Sequence, residues 1–251
     1  MEIKRKPFQG VFNIIRFNWH FYLASGLILG LLLLFWTHLP PLLQSLAYWF
    51  AILAIITINI SLLISFYIYD LSGLYALKWL PKSESKNILN ISAGFDETSE
   101  LISNKFPNGR LTIADFYDPK KHTEISIKRA RLAYPPNENT IQVSTTSLPF
   151  SSDSFDFVLV ILSAHEIREV KERIIFFKEL ERVTIPKHQI FVTEHLRDFN
   201  NCMAYTIGFF HFHSKSTWLR TFKEANLKIV GEIKTTPFIT TFILETNGNT
   251  L

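Results

Sequence analysis

The alternation of apolar and polar positions divides the chain into two unlike parts. From Phe21 to Tyr69 no Lys, Arg, Asp or Glu occurs. A helix needs about 20 apolar residues to cross a hydrocarbon core, and this run holds two. One spans roughly Phe21–Leu39 through Leu27-Ile28-Leu29-Gly30-Leu31-Leu32-Leu33-Leu34, the other roughly Leu42–Tyr69 through Ala51-Ile52-Leu53-Ala54-Ile55-Ile56. Pro40-Pro41 stands between them. Proline cannot continue a helix and pushes its predecessor out of the α region, so the pattern predicts a helical hairpin. Trp19, Tyr22, Trp36, Trp49, Tyr67 and Tyr69 lie near the ends of the runs, as interfacial aromatics do. Pro7–Trp19 carries Phe8, Val11, Phe12, Ile14, Ile15 and Phe17 with only Arg16 charged, the pattern of a helix lying on a membrane surface. A cleaved signal peptide fits poorly, because the apolar run starts late and no small-x-small site precedes the second run. Burial of both helices in a soluble core would need more covering chain than remains.

From about Ser85 the period switches between that of strands and that of helices. Strands are expected at Asn87–Ile91, Arg110–Asp115, Thr140–Val143, Phe155–Leu162 and Gln189–His195, with the run FDFVLVIL marking a strand buried on both faces. Helices are expected at Asp96–Phe106, Thr123–Tyr134, Val170–Val183 and Ser214–Ala225, the last capped by Ser214 or Ser216. Leu227–Ile233 and Phe238–Glu245 are two further strands, antiparallel because only Lys234-Thr235-Thr236-Pro237 joins them. The βαβα order implies a parallel twisted sheet. The expected organisation is an anchor over residues 1–80 and an α/β domain over residues 81–251.

Charge and cysteine usage add orientation. The net charge is +4, and Lys4, Arg5, Lys6 and Arg16 sit beside the apolar run, as a cytoplasmic flank does. This is too local for a nucleic-acid footprint, so no nucleic-acid partner is expected. A hairpin returns to its starting side, which sets the α/β domain on the cytoplasmic face of the inner membrane. Cys202 is the single cysteine; no intramolecular disulfide is possible, and a buried structural thiol is expected.

Open parallel sheets bind ligands beyond the carboxyl ends of their strands. That rule selects Ser92-Ala93-Gly94-Phe95-Asp96, Asp115, Ser144-Thr145-Thr146, Ser163-Ala164-His165-Glu166 and Glu194-His195. Asp115 suits the two hydroxyls of a ribose, or is a turn residue. One glycine, Gly94, and a carboxylate at Asp96 disfavour a pyrophosphate, whereas a ligand with an amino group and a sulfonium tolerates them. A histidine side chain can titrate near neutrality, which makes His165 the first candidate base, beside Glu166, Glu194 and His195. The alternatives are a hydrogen-bonded structural histidine and a helix-capping Glu166. His211 and His213 alternate as on a strand, but a metal site needs a third ligand of known position, and none is assigned.

The stretch Ser147-Leu148-Pro149-Phe150-Ser151-Ser152-Asp153-Ser154-Phe155-Asp156-Phe157-Val158, the turn Glu179-Leu180-Glu181-Arg182-Val183-Thr184-Ile185-Pro186-Lys187, and Ser216 through Leu227 resemble motifs of the class I S-adenosylmethionine-dependent methyltransferases, of the type 11-like kind. The resemblance covers roughly Asn87 to Glu245. It implies a Rossmann-like, mostly parallel sheet of seven strands with an antiparallel C-terminal strand, here preceded by two transmembrane helices. It implies S-adenosyl-L-methionine as cofactor, held by Asn90, Ser92, Ala93, Gly94, Asp115, Phe116, Ser144, Thr145 and Ser163, with His165, Glu166 and His195 as catalytic candidates. Asn90 stands where the family has an acid, Ser92 and Asp96 where it has glycines, Ser144 where an aspartate is common, and Lys187-His188 where the turn has two glycines. In such a fold Arg197–His213 builds the acceptor pocket; its aromatic content suits an apolar acceptor, or else a helix packed on the sheet or on the membrane. The expected function is a methyltransferase anchored in the lipid bilayer and acting on a lipophilic small molecule. The alternative is a non-catalytic, membrane-bound interaction module that keeps the sheet.

Overall fold

The hairpin is built from α1 (Gln9–Leu34) and α2 (Pro41–Phe66). The computed structural model describes residues 5–81 and 86–246; Lys4 of the basic start and the region around Ser85 lie outside them. Where a surface helix and a separate span were expected, α1 is a single helix with a kink at Asn18 (φ −112°, ψ 17°). The Asn18 side chain donates to Ile14 O at 3.0 Å, and a side chain entering the backbone ladder is a recognised cause of kinks. After a 3-10 turn at Trp36–His38, Pro41 opens α2, at the position where its missing N–H costs nothing. Gln44 closes the turn by donating to Trp36 O at 3.0 Å and Leu39 O at 2.9 Å. A π-helical turn, Tyr67–Leu71, ends the hairpin. There Asp70 accepts from the N–H groups of Gly10 (2.8 Å) and Val11 (2.9 Å), a carboxylate set against the positive end of α1. A Cβ at Gly10 would run into Tyr69, so the two ends approach closely only because this residue is glycine.

Both apolar stretches, Gln9–Leu34 and Pro41–Ala76, are long and apolar enough to cross a membrane, and only 6% and 11% of their most apolar windows are buried. They are therefore not core helices of the α/β domain.

That domain contains β1 (Asn87–Ser92), α3 (Ser99–Lys105), β2 (Arg110–Asp115), α4 (Ile125–Ala133), β3 (Ile141–Gln142), β4 (Phe155–Ile161), α5 (Val170–Val183), β5 (Thr184–His195), α6 (Phe199–Tyr205), α7 (Lys215–Glu224), β6 (Leu227–Thr236) and β7 (Ile239–Thr246). The seven strands pair in the order β3-β2-β1-β4-β5-β7-β6. β1 to β5 are parallel, and β7 runs antiparallel to both β5 and β6.

The departures from expectation have local causes. α3 starts at Ser99 rather than Asp96, because Asp96 Oδ1 accepts from Thr98 N (2.9 Å) and Ser99 N (3.0 Å) and so holds the first turn from outside it. The expected proline turn at Thr184–Lys187 is instead the start of β5, with a register shift opposite Phe155 and Phe157 and Lys187 at φ 66°. The closing hairpin turns over Pro237-Phe238 alone, and Lys234–Thr236 extend β6. Ser214 is the cap of α7, accepting from Thr217 N. Cys202 is half-buried, not buried, since it lies on a short helix with an exposed face.

Strand alternation splits the core between the two faces of the sheet. Leu89, Ile91, Val158 and Val160 pack with Phe177, Leu180, Trp218 and Phe222 of α5 and α7. Ile88, Phe157, Leu159 and Phe191 pack with Ile102 and Phe106, and with Leu77, Trp79 and Leu80 from the chain after the hairpin. The junction near residue 80 is thus part of the sheet's core. The two strongest sequence motifs clamp each other. Leu148 N donates to Glu179 Oε2 (2.7 Å), while Arg182 donates to Phe150 O (2.8 Å) and Leu148 O (3.1 Å).

Candidate active site

A cavity of about 260 Å³ lies over the carboxyl ends of β1, β4 and β5. Its floor includes Asn90, Ser92, Ala93, His165, Glu166 and His195; its roof is α1, through Asn13, Ile14 and Phe17, with Tyr69 and Tyr75. A second hollow of about 530 Å³ opens beside Phe116, Tyr117, Ser144 and Thr145. The residues expected to form one site are therefore distributed between two spaces.

Asp115 lies between them and is 2% exposed. Its Oδ1 accepts from Tyr117 N (2.9 Å), and its Oδ2 pairs with the Arg131 guanidinium, which stacks on the Tyr117 ring at 4.4 Å. Gly94 has φ +94°, and a Cβ there would come within 2.8 Å of the Tyr117 ring; glycine is needed for both reasons. Ser92 Oγ turns back to Ala114 O at 3.5 Å, and Ser163 Oγ donates to Ile91 O at 3.1 Å. Asn90 donates to Thr98 Oγ1 (3.0 Å) and Ser99 Oγ (2.9 Å), tying β1 to the start of α3. Phe95 packs edge-on against Phe17, at 5.5 Å between centroids.

At the other end of the cavity the charged groups converge. Glu194 is fully buried and accepts from His165 N (3.2 Å), and its Oε2 lies 2.6 Å from His165 Nδ1. Burial alone would lower the His165 pKa, but the Glu194 and Glu166 carboxylates outweigh it and raise it to about 10. Burial likewise opposes ionisation of Glu166, yet its bonds to His165 and His211 hold it well below the usual carboxylate range. The helix cap of α5 is Glu169 rather than Glu166.

His195 differs. Asn201 Oδ1 lies 3.0 Å from its Nδ1, Tyr69 Oη lies 2.8 Å from its Nε2, and Phe212 stacks on its ring. Asn201 turns its amide NH₂ to Asp198 and Phe238 O, so the amide oxygen faces the ring. The proton is then on Nδ1, and Nε2 accepts from Tyr69. Burial lowers the His195 pKa to about 4, against the favourable Asn201 bond. The unfolded chain, at about 6.5, takes this proton first. The contribution of neutral His195 is therefore complete above about pH 6.5 and lost as the pH falls to about 4, a loss of roughly 3 kcal/mol. The melting temperature of the wild type is expected to fall more steeply from pH 7 to pH 4.5 than that of His195→Gln; equal slopes would refute this account.

Tyr75 and Glu97 are not marked by the sequence pattern, and Arg5 only as part of a basic flank. Tyr75 Oη donates to Glu97 Oε2 (2.6 Å), and Arg5 (3.1 Å) and Asn13 (3.3 Å) donate to Glu97 Oε1. The available signal was polar residues, Asn13 and Asn18, within an apolar helix, since such groups face protein or cavity rather than hydrocarbon. Of the aromatic stretch Arg197–His213, Phe212 reaches the cavity, while Phe199, Met203, Ile207 and Phe210 are exposed.

A family model described as a methyltransferase domain matches residues 90–192. No curated protein matches the chain in sequence. Among solved structures, the PH0226 protein of Pyrococcus horikoshii OT3 is similar at 16% identity and a TM-score of 0.50, over 70% of this chain and 88% of that one. A SAM-dependent methyltransferase from Aquifex aeolicus is similar at 14% identity and 0.50, over 75% and 97%. An O-methyltransferase family 2 protein from Planctomyces limnophilus, in complex with apigenin, is similar at 13% and 0.51, over 76% and 61%. At such identities the likeness is one of fold. Sheet order, the matched segment and the cavity beyond the strand ends agree: the domain has the class I methyltransferase fold, and the cofactor that fold and family model support is S-adenosyl-L-methionine.

Proposed function

We propose that this protein is a membrane-anchored S-adenosylmethionine-dependent methyltransferase acting on a lipophilic acceptor. The observation that carries the reading is α1. Its first half roofs the cavity through Asn13, Ile14 and Phe17, and the same helix continues through Leu27, Leu31, Leu33 and Leu34, each more than half exposed. A cavity roofed by a helix that runs on into hydrocarbon is reached most directly from the bilayer. The exposed Phe199, Met203, Ile207 and Phe210 lie on α6 and the turn after it, and α6 contacts α2. They extend the apolar surface beside the hairpin, as an interfacial segment does. The basic start argues for the cytoplasmic face of the inner membrane.

The residues present suit the cofactor in kind. The backbone of Ser92-Ala93-Gly94, with the Ser92 and Ser163 hydroxyls turned away, leaves room for the amino-acid end. Asp115, held by Tyr117 N and Arg131, would meet the ribose hydroxyls once Arg131 withdraws, and Phe116, Ser144 and Thr145 border the hollow open to the base. The obstruction is Arg131, whose side chain is 23% exposed and can leave Asp115 toward solvent. The cofactor supplies the transferable methyl group. The chain's own residues exclude water through the α1 roof, and Tyr69, which lines the cavity, donates to His195. His165, Glu166 and His195 then align the acceptor.

Calorimetric titration of the full-length protein in detergent with S-adenosylmethionine tests the cofactor. No heat and no thermal shift at millimolar ligand would end the enzyme reading. Incubation of membranes with methyl-labelled cofactor should put label into the organic-extractable fraction; label confined to water-soluble products would remove the lipophilic acceptor.

A second reading, a non-catalytic membrane-bound module, is favoured by one observation. The carboxylate that should meet the ribose is already paired with Arg131.

A further inference from the structure

We infer that His165, Glu166 and His211 bind one divalent first-row transition-metal ion at the acceptor end of the cavity. One ligand atom from each residue lies within 4.8 Å of the others. Glu166 Oε1 is 3.5 Å from His165 Nε2 and 3.2 Å from His211 Nε2. Tetrahedral ligands about 2.0–2.1 Å from zinc stand roughly 3.3–3.4 Å apart, so the two separations from Glu166 already match a coordination shell and the third is within 4.8 Å.

The orientation of both imidazoles is the stronger argument. His165 Nδ1 lies 2.6 Å from Glu194 Oε2, and His211 Nδ1 lies 3.0 Å from Glu124 Oε1. A carboxylate on Nδ1 turns the ring so that Nε2 faces the cluster, as in metal-ligating histidines; an ion binds here by displacing the Nε2 proton of His165 and the Arg168 guanidinium from His211 Nε2. Here two such pairs, drawn from distant parts of the chain, point their Nε2 atoms at one glutamate. Two imidazoles and a carboxylate are a donor set for zinc, iron or cobalt rather than for magnesium or calcium. His165 and Glu166 line the cavity, so an open coordination position would face the acceptor. Arg168 competes with the ion: its guanidinium lies 2.9 Å from His211 Nε2 and 3.8 Å from Glu124 Oε1 and donates to His211 O, on a side chain that is 42% exposed.

The binding site stands on this geometry alone. Its role in holding an acceptor oxygen rests on the transferase reading. The test uses full-length protein in detergent, stripped with chelator and dialysed against micromolar zinc. One zinc per chain is expected, and cobalt in its place should give the visible absorption of a four- or five-coordinate ion. His211→Gln, at a half-exposed position, and Glu166→Gln should weaken zinc binding by on the order of 100-fold, and Glu124→Gln by about 10-fold. His188→Gln should change nothing, because His188 pairs with Asp156 outside the cluster. Circular dichroism melts of each variant separate lost ligands from lost fold. Substoichiometric zinc in the wild type, or a folded His211→Gln that binds as tightly, overturns the proposal and leaves a proton-linked ion-pair network. Zinc binding without S-adenosylmethionine binding would keep the metal site and remove the transferase reading; the reverse would remove the metal site alone.

Discussion

Asp115→Asn is expected to weaken S-adenosylmethionine binding by about 10- to 100-fold, and Arg131→Gln to strengthen it by a few-fold. Hydrogen bonds to an ionised carboxylate are worth roughly 1.5–3 kcal/mol each, and about 1.4 kcal/mol is a factor of ten in affinity. A neutral amide in place of the Asp115 carboxylate would forfeit most of that. Arg131 acts in the opposite direction because its guanidinium occupies the same carboxylate before any ligand arrives. Removing it spares the ligand the work of breaking an ion pair. Titration calorimetry on the three proteins reads both effects. The non-catalytic reading predicts something different: neither the wild type nor either variant binds the cofactor, whereas a loss of stability in Arg131→Gln, which leaves a buried carboxylate unpaired, is expected on both readings. If Asp115→Asn binds as well as the wild type, Asp115 is not the ribose partner.

Phe191→Ala should cost about 3–5 kcal/mol of stability, or roughly 10 °C in melting temperature for a domain of this size. Phe191 is fully buried on β5, with Trp79 at 5.5 Å and Phe157 at 5.6 Å between ring centroids. The cavity cannot collapse easily, because Phe157 is held in the sheet. Trp79 carries the chain arriving from the hairpin, so its loosening should also expose that junction. Limited proteolysis near residue 80 is expected to quicken in the variant; unchanged cleavage would show that Trp79 holds without Phe191.

Much of the fold was legible because its cause is local. FDFVLVIL announces a strand buried on both faces, and Val158, Leu159 and Val160 are fully buried on β4. The departures are also instructive. The sequence put Asp96 at the start of a helix; its carboxylate does accept from the N–H groups there, but from the turn before α3, three residues ahead of Ser99. The composition of Arg197–His213 suits a pocket or a packed helix equally. Only the path of α6 beside α2 turns Phe199 and Phe210 outward. The sequence paired His211 with His213, but His213 turns to Arg173 at 3.0 Å; His211 meets His165 and Glu166 instead, because of how the chain returns after α6.

The candidate site divides along the same line. The strand-end rule selected Ser92, Ala93, Phe95, His165, Glu166 and His195, which line the cavity, and Gly94, Asp115 and Ser163, which do not; Asn90, marked by the resemblance, lines it too. It could not reveal that Arg131 sits on Asp115, nor that Asn13 reaches Glu97 across 84 residues.

Periodicity, prolines and the charge-free run determined which segments are strands, which are helices, and that two apolar helices precede the sheet, because these depend on interactions between near neighbours along the chain. The roofing of the cavity by α1, the pairing of Asp115 and the convergence of two imidazoles on Glu166 were decided by packing between distant segments. No local pattern encodes those distances, since each depends on where the sheet and hairpin come to rest against one another.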